Sequence, residues 1–323
     1  MRLFIVLLLI PFLGIGQNFQ PKGKGQVINH TYYSLSYSEE NEQAEWVYYT
    51  LSPQMINGHV VRTNDFRTDS KVRTSSATKS DYYKSGYDRG HLAPAGDMKI
   101  SHTAMSESFY LSNIAPQNPS FNRGGWRSLE SLVRSWVLSE SDMHVVTGGI
   151  FNNNLGSIGA NRVSIPSHFY KIVFSEKKNK MIGLVMPNKK ITSQLSFYVV
   201  SVDYIEAQTG IDFFYQLDDD IENRLESSEQ SSNWNFSLSV SPSVGSSSSA
   251  SVQCKGTAKS TSKRCGNKTK NESGYCYAHK NQSSDYAAPS NSAYIGRCNA
   301  TTKSGNRCKR NAASTTKYCW QHQ

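Results

Sequence analysis

Tyr87-Asp88-Arg89-Gly90-His91-Leu92-Ala93-Pro94 is followed by Ser112-Asn113-Ile114-Ala115-Pro116-Gln117, then by Asn122-Arg123-Gly124-Gly125-Trp126, and then by Glu130. A histidine, an arginine, an amide side chain and a carboxylate at this spacing are the groups that metal-assisted cleavage of a phosphodiester requires. The attacking water must lose a proton, and a neutral imidazole is the side chain best matched to that task near neutral pH. A divalent ion holds phosphate oxygens and absorbs charge on the leaving oxygen. An arginine stabilises the negative phosphorane between them.

Working outward, strand and helix signals interleave. Val27 to Tyr37, Glu45 to Leu51 and Met143 to Phe151 read as strands, and His168–Phe174 and Met181–Pro187 read as an adjacent pair. Asn122 to Leu138 spaces Trp126, Leu129, Val133 and Trp136 as one face of a helix. Asp219 to Leu225 opens on an acidic run that suits a helix start. No regular βαβ repeat appears, so the spacing predicts an α+β domain with a mixed central sheet. Glu130 falls two turns beyond Asn122 on the predicted helix, which puts both on one side. Arg89 and His91 alternate around Gly90 and point the same way from an extended chain.

Further residues fall in the same order: Tyr32 and Leu35, Trp46-Val47 and Tyr49, Arg62-Thr63-Asn64-Asp65-Phe66, and late in the body Tyr204 to Phe214. Together with Asp88-Arg89-Gly90-His91, Asn113 to Gln117, Asn122 to Trp126 and Glu130, this order resembles the DNA/RNA non-specific endonucleases, the ββα-metal nucleases that include endonuclease G-like enzymes. The resemblance covers about Ile28 to Glu226. It implies that His91 is the general base. It implies that Asn122 is the direct protein ligand of one Mg²⁺ (or Mn²⁺), whose other ligands are water and the scissile phosphate. Glu130 resembles the acid that orients water around that metal. Arg89 resembles a phosphate-side arginine, and Asn113 the asparagine of the second strand. Arg62 or Arg67 resembles the transition-state arginine, and the spacing around Phe66 leaves the choice open.

Structural roles compete with several of these. Asparagine is a favoured N-cap, so Asn122 can open the helix as well as hold a metal. Arg123, Arg127 and Arg134 read as surface or phosphate-steering groups. His30, His59, His102, His144 and His168 show no ligand spacing and read as structural.

The chain has 323 residues. Met1-Arg2, the apolar run Leu3 to Leu13 and Gly14-Ile15-Gly16 read as a signal peptide over residues 1–16, too short for a comfortable membrane span. No other stretch is long enough to span a bilayer, so the expected mature protein is secreted or periplasmic. The nuclease body is expected over residues 17–226, and a Ser-rich linker over 227–252.

Beyond the linker the sequence repeats. Repeat 1 (residues 253–280) carries Cys254, Cys265, Cys276 and His279. A linker (281–296) precedes repeat 2 (297–323), with Cys298, Cys308, Cys319 and His322. All six cysteines of the chain lie here, as do 13 of its 35 basic residues but only two of its 25 acidic ones. Three thiols and an imidazole are the ligand set of a closed Zn²⁺ site, and an odd number of cysteines per repeat cannot pair off internally. Export favours disulfides instead. A basic tail on a near-neutral body suits a polyanion.

These features predict a secreted hydrolase, a metal-dependent endonuclease acting on DNA and RNA. The alternatives are a non-catalytic nucleic-acid-binding protein and a phosphodiesterase for smaller substrates.

Overall fold

The computed structural model describes residues 18–238 and, in the tail, residues 252–257, 263–269, 274–276, 279, 282, 298–301, 307 and 308. The proposed signal, most of the linkers, Cys319 and His322 lie outside the described residues.

The chain opens with β1 (Gln26–Asn29), β2 (Ser34–Ser38) and β3 (Gln43–Leu51), then short α1 (Pro53–Ile56) and α2 (Lys79–Tyr82). Next come β4 (Asp88–His91), α3 (His102–Glu107), β5 (Ile114–Gln117) and the long helix α4 (Arg127–Glu140). The second half holds β6 (Met143–Ile150), β7 (Ser157–Ile158), β8 (Val163–Ser164), β9 (His168–Ser175), β10 (Lys180–Pro187) and β11 (Val199–Val200). It closes with α5 (Val202–Thr209) and α6 (Asp219–Glu226); the tail adds β12 (Val252–Gln253) and β13 (Lys268–Thr269).

Seven strands form one sheet in the order β1-β2-β3-β6-β9-β10-β11. Every neighbouring pair is antiparallel, which corrects the expected mixed sheet. For β1-β2-β3 and β9-β10 the connections explain this: they are short turns, and short turns can only pair strands antiparallel.

Both faces of the sheet are covered. Alternate residues of β3, Val47, Tyr49 and Leu51, meet α4 through Leu129, Leu132, Val133 and Trp136. Trp46 and Tyr48 point the other way, to Val202 and Ile205 of α5 and Leu225 of α6. With apolar groups on both sides, the strands lose the polar-out alternation of a one-sided sheet. Their period of two survives only as a choice of core.

Val27 to Tyr37 is a hairpin rather than one strand, turning after Asn29 and pairing Ile28 with Leu35. The body also continues beyond Glu226, which corrects the linker boundary. Trp234 is buried against Trp136 at 4.6 Å between ring centroids, and Trp136 Nε1–H donates to the Asn235 carbonyl at 2.9 Å. An indole pair and its hydrogen bond tie the serine-rich stretch back to α4. No helix among the described residues is long and apolar enough to cross a membrane.

Candidate active site

β4 and β5 form a separate antiparallel pair, with His91 opposite Ile114 and Gly90 opposite Ala115. A Cβ at position 90 would come within 2.2 Å of the Gln117 side chain, so only glycine lets that side chain lie across β4. The chain then runs through a π-helical turn, Phe121–Trp126, into α4. Two strands, the turn Leu111–Asn113 before β5, and the π-helical turn with α4 behind it thus carry the residues of the motif.

His91 is 7 % exposed, between the rings of Phe66 (5.5 Å) and Phe109 (4.8 Å, edge to face). Its Nε2 is buried with no hydrogen-bond partner among the described residues. Burial, then the charges of Arg62 and Arg89, push its pKa down to about 3, so the imidazole is neutral at physiological pH. Trp126 Nε1–H reaches the His91 carbonyl at 3.4 Å, linking the start of α4 to β4.

Asp88 accepts the Asn122 amide N–H at Oδ2 (2.9 Å) and takes Arg123 through both carboxylate oxygens (2.8 and 2.6 Å). Burial opposes its charge, but the hydrogen bonds from Arg123 and Asn122 outweigh that and hold its pKa below the usual carboxylate value. With its nitrogen committed, Asn122 has its carbonyl oxygen left to offer, a hard donor suited to Mg²⁺. Asn122 lies inside the π-helical turn, its own N–H bonded to the Asn118 carbonyl at 2.9 Å, and is not an N-cap. The turn exists because Gly124 departs from helical geometry (φ −111°, ψ −107°). Asn122 and Glu130 therefore do not share one continuous helix, as the spacing had predicted.

Arg89 and His91 do face the same side, since Phe66 touches both: the Arg89 guanidinium carbon lies 4.2 Å from its ring centroid. The structure separates Arg62 from Arg67. Arg67 is committed to the Asp65 carboxylate (2.9 Å), the Ser106 carbonyl (2.9 Å) and the Tyr110 ring (4.0 Å). Arg62 lies over Phe109 at 4.8 Å and is the arginine whose charge reaches both His91 and Glu130. Arg89, Asn122 and Arg123 border a cleft of about 500 Å³ whose other walls include Lys79, Tyr83 and Tyr87.

Glu130 sits at the head of α4. Burial raises its pKa, opposed first by Lys171 and then by Arg134. Arg134 is not a surface group: it pairs with buried Asp97 at 2.7 Å, and Asp97 also accepts the Tyr49 hydroxyl at 2.8 Å. Asp88, Asp97 and Lys171 escaped the reading of the sequence. A lysine inside the apolar run His168–Phe174 was the available signal for the last of them.

Asn113 requires a correction. It is fully buried, with Oδ1 accepting from Ala93 N–H (2.9 Å) and Nδ2 donating to the carbonyls of Ala93 (2.9 Å) and Ser108 (2.8 Å). Its amide is spent on backbone, so it clamps the chain after His91 rather than facing a substrate. His30 is held by Asp69 (2.9 Å) and His144 by the Tyr48 hydroxyl (3.0 Å), both structural as expected.

In the tail, one ligand atom from each of Cys254, Cys265, Cys276 and His279 lies within 4.8 Å of the others, and the cysteines are free. Cys265 and Cys276 sulfurs are 3.8 Å apart, and His279 Nδ1 lies 3.6 and 3.4 Å from the sulfurs of Cys254 and Cys276. A tetrahedron with bonds of about 2.3 Å to sulfur and about 2.05 Å to nitrogen has edges of about 3.8 and 3.6 Å. Burial raises the Cys254 thiol, but the backbone N–H groups of Cys276 and Gly256 outweigh it and bring the pKa to about 7. In the second repeat, Ala300 N–H points at the Cys298 sulfur (3.4 Å) as Gly256 N–H points at Cys254 (3.3 Å). Arg307 bonds the Cys298 carbonyl as Arg264 bonds that of Cys254. The two repeats share a local fold, with Cys319 and His322 outside the described residues.

Comparison with known proteins agrees with this geometry. A family model described as DNA/RNA non-specific endonuclease matches residues 15–220. Human mitochondrial endonuclease G is 35 % identical over 208 residues, covering 59 % of this chain and 70 % of that protein. Nuclease C1 of Cunninghamella echinulata var. echinulata is 34 % identical over 205 residues, covering 58 % and 81 %. A crystal structure of an EndoG/EndoGI complex superposes with a TM-score of 0.57 at 33 % identity, covering 61 % of this chain and 88 % of that one.

Proposed function

The chain belongs to the DNA/RNA non-specific endonuclease family and is a nuclease, a hydrolase of nucleic acids; on that premise we propose that it cuts DNA and RNA internally, with little base preference and with a divalent metal. The observation that carries the reading is a buried imidazole, His91, whose Nε2 has no hydrogen-bond partner among the described residues, on the same strand as the aspartate that fixes Asn122.

Asn122 would hold the ion through its amide oxygen, and Mg²⁺ or Mn²⁺, when bound there, would grip phosphate oxygens and offset the charge on the leaving oxygen. His91 takes the proton from the attacking water. A pKa near 3 makes a feeble base; burial lowers it first, and the charges of Arg62 and Arg89 lower it further. A phosphodiester entering beside Arg62 and Arg89 offsets their charge, so the imidazole gains basicity as substrate arrives. Arg62 and Arg89 stabilise the extra negative charge of the transition state. Glu130, whose carboxyl burial raises to about 7, orients water beside the phosphate once it is ionised. Contacts to phosphate rather than to base edges give little sequence preference.

We further infer that the tail repeats are Zn²⁺ sites and that the basic tail holds polyanionic substrate near the cleft, raising its effective concentration. The leader-like residues 1–16 support export, and N-terminal sequencing of protein recovered outside the cell tests that inference.

Digestion of circular plasmid and of single-stranded RNA, with and without EDTA, tests the main reading. Nicked circles and cut RNA that disappear with EDTA are expected. Intact plasmid bound by the protein would favour a non-catalytic binder. Cleavage of small diesters alone would favour the smaller-substrate phosphodiesterase.

A further inference from the structure

Lys171 stands in the middle of β9, paired with Thr147 of β6 and Leu184 of β10. Its same-face neighbours Phe169 and Val173 join the core packed against α4, and the period of a strand sends Lys171 to that face too. The residue is 1 % exposed, and its Nζ has no hydrogen-bond partner among the described residues. Nζ lies 4.9 Å from the Trp126 ring centroid. A buried ammonium without acceptors opposes folding, and a methionine of similar length would fill the space without that cost. The charge itself therefore needs a purpose.

Trp126 caps α4 with helical backbone angles (φ −64°, ψ −48°) and precedes Glu130 by four residues, so ring and carboxylate lie on one side of its first turn. An ammonium seated on Trp126 is thereby brought beside Glu130. The other groups facing Glu130 are Arg134 from its own helix, Asp97 from the 95–97 turn, Tyr49 from β3 and Arg62 from the loop between α1 and α2. Arg134 and Asp97 neutralise one another at 2.7 Å, Tyr49 donates to Asp97, and Arg62 is exposed. That leaves Lys171 as the uncommitted buried positive charge next to the carboxylate.

We propose that Lys171 is a positioning residue for Glu130: its ammonium is the buried countercharge that keeps this carboxylate anionic and able to orient water at the reacting phosphate. The proposal rests on the nuclease reading, which cleavage by the wild-type protein tests separately. Lys171 is also the largest of the influences that draw the Glu130 carboxyl down against burial, which agrees with the geometry.

The test is a double-mutant cycle in the full chain: Lys171→Met, Glu130→Gln and the two combined, each measured for thermal stability and for single-turnover rate on a labelled oligonucleotide. Lys171→Met is expected to melt near the wild-type temperature, because the apolar side chain no longer buries an ammonium and Glu130 can take up a proton in its place. Its rate is expected to fall at least about tenfold, and its acid limb to move to higher pH, because Glu130 then holds its proton longer. In the Glu130→Gln background the same change is expected to cost less than about twofold. A Lys171→Met rate within about twofold of wild type overturns the proposal, and so do losses that multiply independently in the double variant. If the methionine variant does not fold, Lys171→Gln in both backgrounds supplies the same cycle. Active wild-type protein with an unaffected Lys171 variant defeats only this proposal, whereas inactive wild-type protein defeats the nuclease reading.

Discussion

Asp88 and Asn122 are joined by a 2.9 Å hydrogen bond in which the amide nitrogen donates and the carboxylate accepts. Three strand positions before His91, Asp88 thus decides which end of the Asn122 amide is free. The strand that carries the base also aims the oxygen that would hold the cation.

Replacing Asp88 with alanine removes that constraint and frees Arg123. Outer-layer partners of metal-binding groups are typically worth about 10–100-fold in affinity or activity. Asp88→Ala is expected to raise the Mg²⁺ concentration needed for half-maximal cleavage by about that factor. A titration curve superposable on wild type would separate Asp88 from metal binding.

Arg62 and Arg67 are expected to differ in kind. Arg62→Ala is expected to lower turnover by about 10²–10³-fold with little change in melting temperature, as for loss of one donor to a transition-state oxyanion. Arg67→Ala loses bonds to Asp65 and the Ser106 carbonyl and the stack on Tyr110. It is expected to destabilise by about 1–2 kcal/mol while keeping most of its turnover. The reverse pattern in paired melting and kinetic measurements would exchange their roles.

Acid sensitivity follows from His91. Its folded pKa of about 3 lies below the ordinary 6.5, so between those values the unfolded chain binds a proton that the native imidazole refuses. The corresponding stability is fully present above about pH 6.5 and is lost as pH falls toward 3. His168, lowered to about 4 by burial and Lys189, acts in the same direction. His91→Asn is therefore expected to reduce, without abolishing, the fall in melting temperature between pH 7 and pH 4. Equal falls in both proteins would remove His91 from this account.

For the tail, full-length protein purified without chelator is expected to carry about two zinc ions, and Cys276→Ser about one. Chelation is expected to leave the melting of the body unchanged and to weaken retention on long DNA most at low salt. Metal-free protein with all thiols oxidised would favour disulfides.

Much of this architecture was legible because burial writes periods into sequence. Trp126, Leu129, Val133 and Trp136 announced α4, and Asp88 meets Asn122 across the motif, but the kink at Gly124 that separates Asn122 from the helix of Glu130 was not legible in their spacing. The β1–β2 hairpin was hidden because its turn, His30 to Tyr33, keeps the aromatic character of its strands. α5 was hidden by the mixed run Val202–Thr209, whose buried face is only Val202, Ile205 and Glu206. Asn113 read as a site residue because its local motif is the same whether its amide faces substrate or backbone. Lys171 was silent because one lysine in an apolar strand gives no hint of which core it enters; the register that turns it toward Trp126 is a tertiary fact.

The most direct measurement is single-turnover cleavage of an end-labelled oligonucleotide by His91→Ala beside wild type, at saturating Mg²⁺, with both proteins shown folded by circular dichroism. The account predicts wild-type cleavage and a loss of at least about 10²-fold in the variant, the usual scale for a general base. A folded His91→Ala protein that cleaves within a few fold of wild type would contradict it.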